Sequence, residues 1–148
     1  VRLNIFYWLR HQAKVSEVLP GVFIGSVTQA ANFDAVLDLC AEYPCINPPK
    51  DYVFIPMLDM VPPESTELVR TAQEMQHLHN NHQSVLICCA LGYGRSVAAM
   101  LVWLAVYGDC DNLAEAQRQL RVARPNMILP AATEQKVLEA IYLLQKTR

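Results

Sequence analysis

The sequence predicts one α/β domain with a central, mostly parallel sheet flanked by helices. Three observations predict it. The chain has 148 residues and is 53% hydrophobic, enough for one well-buried core. Short apolar runs alternate with stretches of helical periodicity, the pattern of strands joined by crossover helices. One run, Ser84-Val85-Leu86-Ile87-Cys88, is apolar at nearly every position, as expected of a central strand covered on both faces.

Each element has its own signal. Pro20-Gly21 opens a short strand, Val22-Phe23-Ile24, closed by Gly25. Ala35 to Cys40 reads as a second strand, Pro44 to Pro49 as a loop, and Tyr52 to Pro56 as a third strand. A loop from Met57 to Pro63 follows. Leu68, Ala72, Met75 and His79 recur at helical spacing within Ser65 to His79, and Asn80-Asn81 ends that helix. After the central strand, Ser96 to Leu104 is helical and Gly108 stops it. Asn112-x-x-Glu115 is a capping box for a helix through Arg121. Pro130 precedes a last helix with Val137, Ile141 and Leu144 on its apolar face.

Charge and cysteine usage narrow the functional class. Twelve Lys+Arg stand against 14 Asp+Glu, and no basic face suggests nucleic acid. Five cysteines without framework spacing point to reduced thiols and a cytosol-like compartment. No apolar stretch of about 20 residues is present to span a bilayer. Residues 1–17 read as an N-terminal arm before a domain over 18–148. Its segment Leu3-Asn4-Ile5-Phe6-Tyr7-Trp8-Leu9, flanked by Arg2, Arg10 and Lys14, is too short to span and lacks a signal-peptide cleavage site. It reads either as an amphipathic arm on the domain or as a juxtamembrane segment, since aromatic and basic residues suit a membrane interface. The start at Val1 suggests a piece of something longer.

The chemistry is concentrated in Cys89-Ala90-Leu91-Gly92-Tyr93-Gly94-Arg95-Ser96. Strand, tight loop, helix is the geometry that captures a phosphate, because loop N–H groups and the positive helix end converge. The same field favours a thiolate at Cys89, the candidate nucleophile. Gly92 and Gly94 permit close backbone approach, and Arg95 can fork two N–H groups onto phosphate oxygens. Residues 90 to 95 are thus the expected phosphate cradle. Asp59, on a loop after a strand and thirty residues before Cys89, is the candidate proton donor to the leaving oxygen. Glu64 is the rival, but its place before a helix suits a cap. Ser96 is expected to hydrogen-bond the Cys89 sulfur as leaving group, to cap the helix, or both.

Cys89-x-x-Gly92-x-x-Arg95-Ser96 with upstream Asp59 resembles the cysteine-based protein tyrosine phosphatase superfamily in its dual-specificity branch. The resemblance runs from about Gly21 to about Ile141 and includes Leu37-Asp38-Leu39-Cys40, Glu115-Ala116 and Arg124-Pro125. It implies a metal-independent, cofactor-free phosphatase working through a phosphocysteine intermediate. Similar bacterial domains are often fused behind membrane-spanning segments, which fits the arm. Two departures stand out. Cys88 occupies the place of the usual histidine before the nucleophile, and Leu129-Pro130-Ala131 stands where the family often has Pro-Asn.

Other residues carry competing readings. Cys40 ends a strand expected beside that of Cys89 and is either a core thiol or a disulfide partner for Cys89 under oxidation. Cys45 and Cys110 are expected to be incidental. Arg118, Arg121 and Arg124 read as a solvated helix face. His77, His79 and His82 gather at a helix end, which attracts histidine without any metal. The expected substrate is a phosphorylated protein, on tyrosine or serine/threonine, or a small phosphate monoester, handled by a monomeric domain on the cytoplasmic side, with a membrane tether in a longer chain as the further option. The absence of Lys and Arg at positions 90 to 94 argues against polyphosphorylated inositol lipids and RNA ends. The alternatives are a non-catalytic phosphate-binding (pseudophosphatase) module and a phospholipid phosphatase at a membrane surface. A rhodanese-like sulfur transferase leaves Asp59 and Arg95-Ser96 without roles. A low-molecular-weight phosphatase would carry the loop near its N-terminus.

Overall fold

A computed structural model describes residues 14–147; residues 1–13 of the expected arm lie outside this range. Five strands form one sheet in the order β1-β2-β5-β3-β4. They are β1 (Val15–Leu19), β2 (Val22–Ser26), β3 (Ala35–Cys40), β4 (Asp51–Met57) and β5 (Val85–Cys89). The strand β1 begins inside the span read as arm. Pro20-Gly21 turns it into β2 as an antiparallel hairpin, with Leu19 opposite Val22 and Gly21 at φ +79°. The dipeptide is therefore a turn between two strands rather than the start of one, which the apolar residues Val15, Val18 and Leu19 signal. The remaining pairs, β2·β5, β5·β3 and β3·β4, are parallel.

Among the described residues, four α-helices follow: α1 (Ser65–Asn81), α2 (Arg95–Val106), α3 (Leu113–Ala123) and α4 (Ala131–Lys146). The α1 start is tied by the Glu67 carboxylate, which accepts the Glu64 N–H at 3.1 Å. Glu64 thus holds the cap position expected of it. At α3, Asn112 Oδ1 accepts the Glu115 N–H at 3.0 Å, but the Glu115 carboxylate accepts from Asp111 rather than closing the box on Asn112. Every residue of α2 is buried, as its all-round apolar sequence demands. No helix among the described residues is long and apolar enough to cross a membrane.

Side-chain alternation divides the core in two. Ala35, Leu37, Leu39, Val85, Ile87 and Cys89 face the helical layer. Val36, Cys40, Leu86 and Cys88 face the other side, under a 3-10 turn (Val27–Asn32) and the aromatic residues Phe23, Phe33, Tyr43 and Tyr52. The central strand β5 is covered on both faces, as its sequence predicts. This division corrects the proposed capture of Cys89 by Cys40. The strands are neighbours, yet the two cysteines belong to clusters on opposite faces of the sheet. Burial, reinforced by Glu42, pushes the Cys40 thiol up to about 12, which disfavours the thiolate that exchange needs.

The loop after β5 is seated on β2. Gly92 has φ +81°, and a Cβ there would lie 2.7 Å from the Gly25 Cα and carbonyl oxygen. Gly92→Ala therefore combines a left-handed backbone penalty with a clash against backbone that cannot swing away. A loss of at least about 2 kcal/mol is expected, read as a lower urea midpoint with an unchanged m-value. A midpoint equal to that of the unaltered protein would show that the Gly92–Gly25 contact does not constrain the loop.

Candidate active site

The loop from Cys89 to Arg95 sits at the carboxyl end of β5, where ligands of parallel sheets gather. Its shape is imposed from outside. Ser26 Oγ donates to the Ala90 carbonyl at 2.7 Å. Arg124 donates from Nη2 to the Leu91 carbonyl at 2.6 Å and from Nε to the Gly92 carbonyl at 3.2 Å. The Ile128 N–H donates to the Tyr93 carbonyl at 2.7 Å, and the Ala98 N–H to that of Gly94 at 3.0 Å. In a trans peptide the N–H points opposite to the C=O. Five outward carbonyls therefore turn the following N–H groups toward the loop centre. One of them, the Gly92 N–H, donates to Cys89 Sγ at 3.2 Å.

Arg124 is a correction. It was expected on a solvated face, but it is buried, with Nη1 on Ser16 Oγ at 3.1 Å and its guanidinium 4.3 Å from the Tyr93 ring centre. Arg118 and Arg121 are exposed as expected. Burial pulls the Arg124 guanidinium down, opposed by Tyr93 and Cys89. Arg124 is the C-cap of α3, and Pro125 follows it. Gly94 differs from expectation too. A Cβ there would meet nothing within 4 Å, so its lack of side chain leaves space in the pocket rather than allowing backbone approach.

Arg95 opens α2 and is buried. Its guanidinium is held by a residue the sequence reading missed. Glu42, just beyond the end of β3, takes Nη1 at 2.6 Å and Nη2 at 2.5 Å. The Met57 carbonyl accepts from Nη1 at 3.0 Å. Burial raises the Glu42 carboxyl, but the Arg95 hydrogen bonds outweigh it and hold the group below the usual carboxylate value. Burial likewise disfavours the Arg95 cation, and Glu42 and Cys89 more than restore it. The only sequence signal for Glu42 is its position at the carboxyl end of a parallel strand. Asp59 Oδ1 lies 3.9 Å from Arg95 Nη2 and accepts the Met60 N–H at 3.0 Å. Asp59 is exposed at the pocket mouth.

Ser96 is fully buried, and its hydroxyl has no hydrogen-bond partner. The expected bond to Cys89 is therefore absent in this arrangement, and Ser96 does not cap the helix either, because Gly94 holds the cap position and Ser96 lies inside the first turn. Cys88 points to the other sheet face. There its thiol lies 3.9 Å from Asp38 Oδ1, while Tyr52 OH donates to Asp38 Oδ2 and the Cys40 N–H to Oδ1 at 2.8 Å. Burial raises both the Asp38 carboxyl and the Cys88 thiol. The histidines do not form a metal centre. His82 pairs with Asp51 at 2.7 Å, His79 stands edge-on to Trp103, and no group of three metal-binding side chains exists among the described residues.

A pocket of about 520 Å³ opens above Cys89 and Arg95, lined by the 59–63 segment, the loop, and Ile128, Pro130 and Thr133. The 148-residue chain resembles several solved structures. Human DUSP28 superposes with a TM-score of 0.78 at 21% identity, covering 91% of this chain and all of the other. PTPMT1 gives 0.75 at 15%, covering 90% and 98%. Tk-PTP in its active form gives 0.74 at 21%, covering 86% and 96%. At these identities the likeness is one of fold. No curated protein matches the sequence. The family model for the dual specificity phosphatase catalytic domain matches residues 22–142, and the chain belongs to that family, within the cysteine-based protein tyrosine phosphatase superfamily.

Proposed function

We propose that the chain hydrolyses phosphate monoesters through a phosphocysteine intermediate. The observation that carries this reading is the loop itself: outward carbonyls, inward N–H groups, a cysteine sulfur at one end and a fixed guanidinium at the other. Loop N–H groups and Arg95 bind the three non-bridging oxygens and stabilise the charge that develops on them. Cys89 Sγ attacks phosphorus in line, and the S–P bond forms as the ester P–O bond breaks. Asp59 gives its proton to the departing oxygen. Water then loses a proton to the Asp59 carboxylate and attacks phosphorus. The S–P bond breaks, inorganic phosphate forms, and the electron pair returns to Cys89. Rotation of the Ser96 hydroxyl toward the sulfur would stabilise the departing thiolate. No metal is assigned a step. Phosphorylated protein is the proposed substrate, in a reducing compartment, consistent with five free thiols.

Glu42 is a positioning residue in this scheme. Arg95 has five donors. Both on Nη1 are taken, by Glu42 and the Met57 carbonyl, and one on Nη2 is taken by Glu42. Two remain, on Nε and Nη2, along one edge of the plane. They form the side-on fork that a tetrahedral phosphate accepts.

Turnover of para-nitrophenyl phosphate tests the reading. Cys89→Ser should abolish it while vanadate still binds, whereas Cys88→Ser should keep most of it, because that thiol faces the opposite side of the sheet. Activity of Cys89→Ser near that of the unaltered protein would overturn the assignment. Asp59→Asn should cost roughly 100-fold for a poor leaving group and much less for a good one, which needs no proton. An equal loss for both would remove Asp59 from the acid role. Glu42→Gln should lower kcat/KM about 10-fold and weaken vanadate inhibition in parallel, with Glu42→Asp recovering part of both. Unchanged vanadate inhibition would leave Glu42 a purely structural partner.

A further inference from the structure

Asp38 is fully buried in β3, on the sheet face turned away from the pocket, and the hydrolytic steps make no use of it. Its carboxylate bridges two strands. Oδ1 accepts the Cys40 N–H at 2.8 Å, and Oδ2 accepts the hydroxyl of Tyr52 on β4. Burial raises the Asp38 carboxyl, while the bonds from Tyr52, Cys40 and Cys88 and the charge of Arg95 pull it back. A carboxylate in such a place is costly unless its partners are well held. These partners flank the point where β3 and β4 lose their register.

From Asp38↔Phe54 to Cys40↔Met57, β3 advances two residues and β4 three. The extra residue lies at Ile55-Pro56, where Pro56 has no N–H to give a ladder. Carbonyls along a strand point alternately to its two edges, so a shift of one residue decides which way the Met57 carbonyl faces. It faces Arg95 and accepts from Nη1 at 3.0 Å. Glu42, two residues after Cys40, meets Nη1 at 2.6 Å and Nη2 at 2.5 Å. Both acceptors of the phosphate-binding guanidinium therefore leave the sheet at the bulge that Asp38 spans. On the other flank, Asp38 pairs with Cys88, one residue before the nucleophile.

We propose that Asp38 is a positioning residue for Arg95: by tying the Cys40 N–H to the Tyr52 hydroxyl, it fixes the bulge that presents Glu42 and the Met57 carbonyl to the guanidinium. This deepens, and rests on, the hydrolase reading above. Without the tie, the ends of β3 and β4 are free to slip or splay. The guanidinium then loses its fixed edge, and the fork no longer meets the phosphate oxygens squarely.

The test is a double-mutant cycle, read in para-nitrophenyl phosphate turnover and in vanadate inhibition. Asp38→Ala removes both bonds and should lower kcat/KM about 10-fold, with vanadate inhibition weakened in parallel. In a Glu42→Gln background, where the clamp is already weakened, the same change should cost less than about 3-fold. Asp38→Asn keeps an acceptor for the Cys40 N–H and offers a donor to the Tyr52 oxygen, so it should recover most of both losses. Tyr52→Phe removes only the hydroxyl and keeps the ring that stacks on Phe54. It should cost about 3-fold with the same dependence on Glu42, and it carries the test if Asp38→Ala does not fold. Losses that simply multiply with that of Glu42→Gln overturn the proposal, as does Asp38→Asn no better than Asp38→Ala. Calorimetric binding of vanadate to Cys89→Ser, with and without Tyr52→Phe, reads the guanidinium without turnover. Absence of hydrolysis in every form indicts the hydrolase reading, whereas vanadate binding unweakened by Tyr52→Phe indicts the role given to Asp38.

Discussion

The site depends on one constraint: the carbonyl groups of residues 90 to 94 are all held from outside the loop. Ser26, Arg124, Ile128 and the first turn of α2 supply the donors. A free loop of this length would sample many peptide orientations, and an anion would have to order them on binding. Here the ordering is done by folding. The buried guanidinium of Arg124 is central because one side chain fixes two consecutive carbonyls. It does so without a carboxylate partner among its hydrogen bonds, so its charge remains available to an anionic neighbourhood. Gly92 belongs to the same constraint, since only a residue without Cβ lets the loop rest on Gly25.

Alternation along β5 then separates two adjacent cysteines into different chemical settings. Cys89 joins the helix-facing side and meets the Gly92 N–H. Cys88 turns to the other face, where Asp38, Tyr52 and Cys40 surround it. Burial and the Asp38 carboxyl both oppose ionisation of Cys88, so only one of the two thiols has partners for a negative sulfur. The residue preceding the nucleophile is thus part of a buried polar cluster behind the loop.

Arg95 shows how charge balance and geometry are combined. A buried guanidinium alone would be costly. Glu42 offsets that cost and, by occupying one end of the fork, decides which edge is left for a ligand. Asp59, nearer to solvent, makes only a 3.9 Å approach to the same cation. The two carboxylates therefore differ in depth: the inner one holds the guanidinium, and the outer one stands at the pocket mouth.

The sequence by itself determined the strand–loop–helix order, the central strand, the apolar α2 and the short-range motif from Cys89 to Ser96. These signals are local: periodicity, caps, and residue types spaced within one loop. The place of Asp59 on a loop after a strand was legible because that too is a short-range pattern. Tertiary structure alone decided the rest. Glu42 reaches Arg95 across 53 residues, Arg124 reaches the loop across 32, and Ser26 reaches Ala90 across 64. No local pattern carries such pairings, because they arise only when parallel strands bring their carboxyl ends together. The same holds for Cys40. Strand adjacency put it near Cys89, but the face it occupies follows from register and from the bulge near the end of β3. Those are set by how the whole sheet packs, not by the residues of one strand.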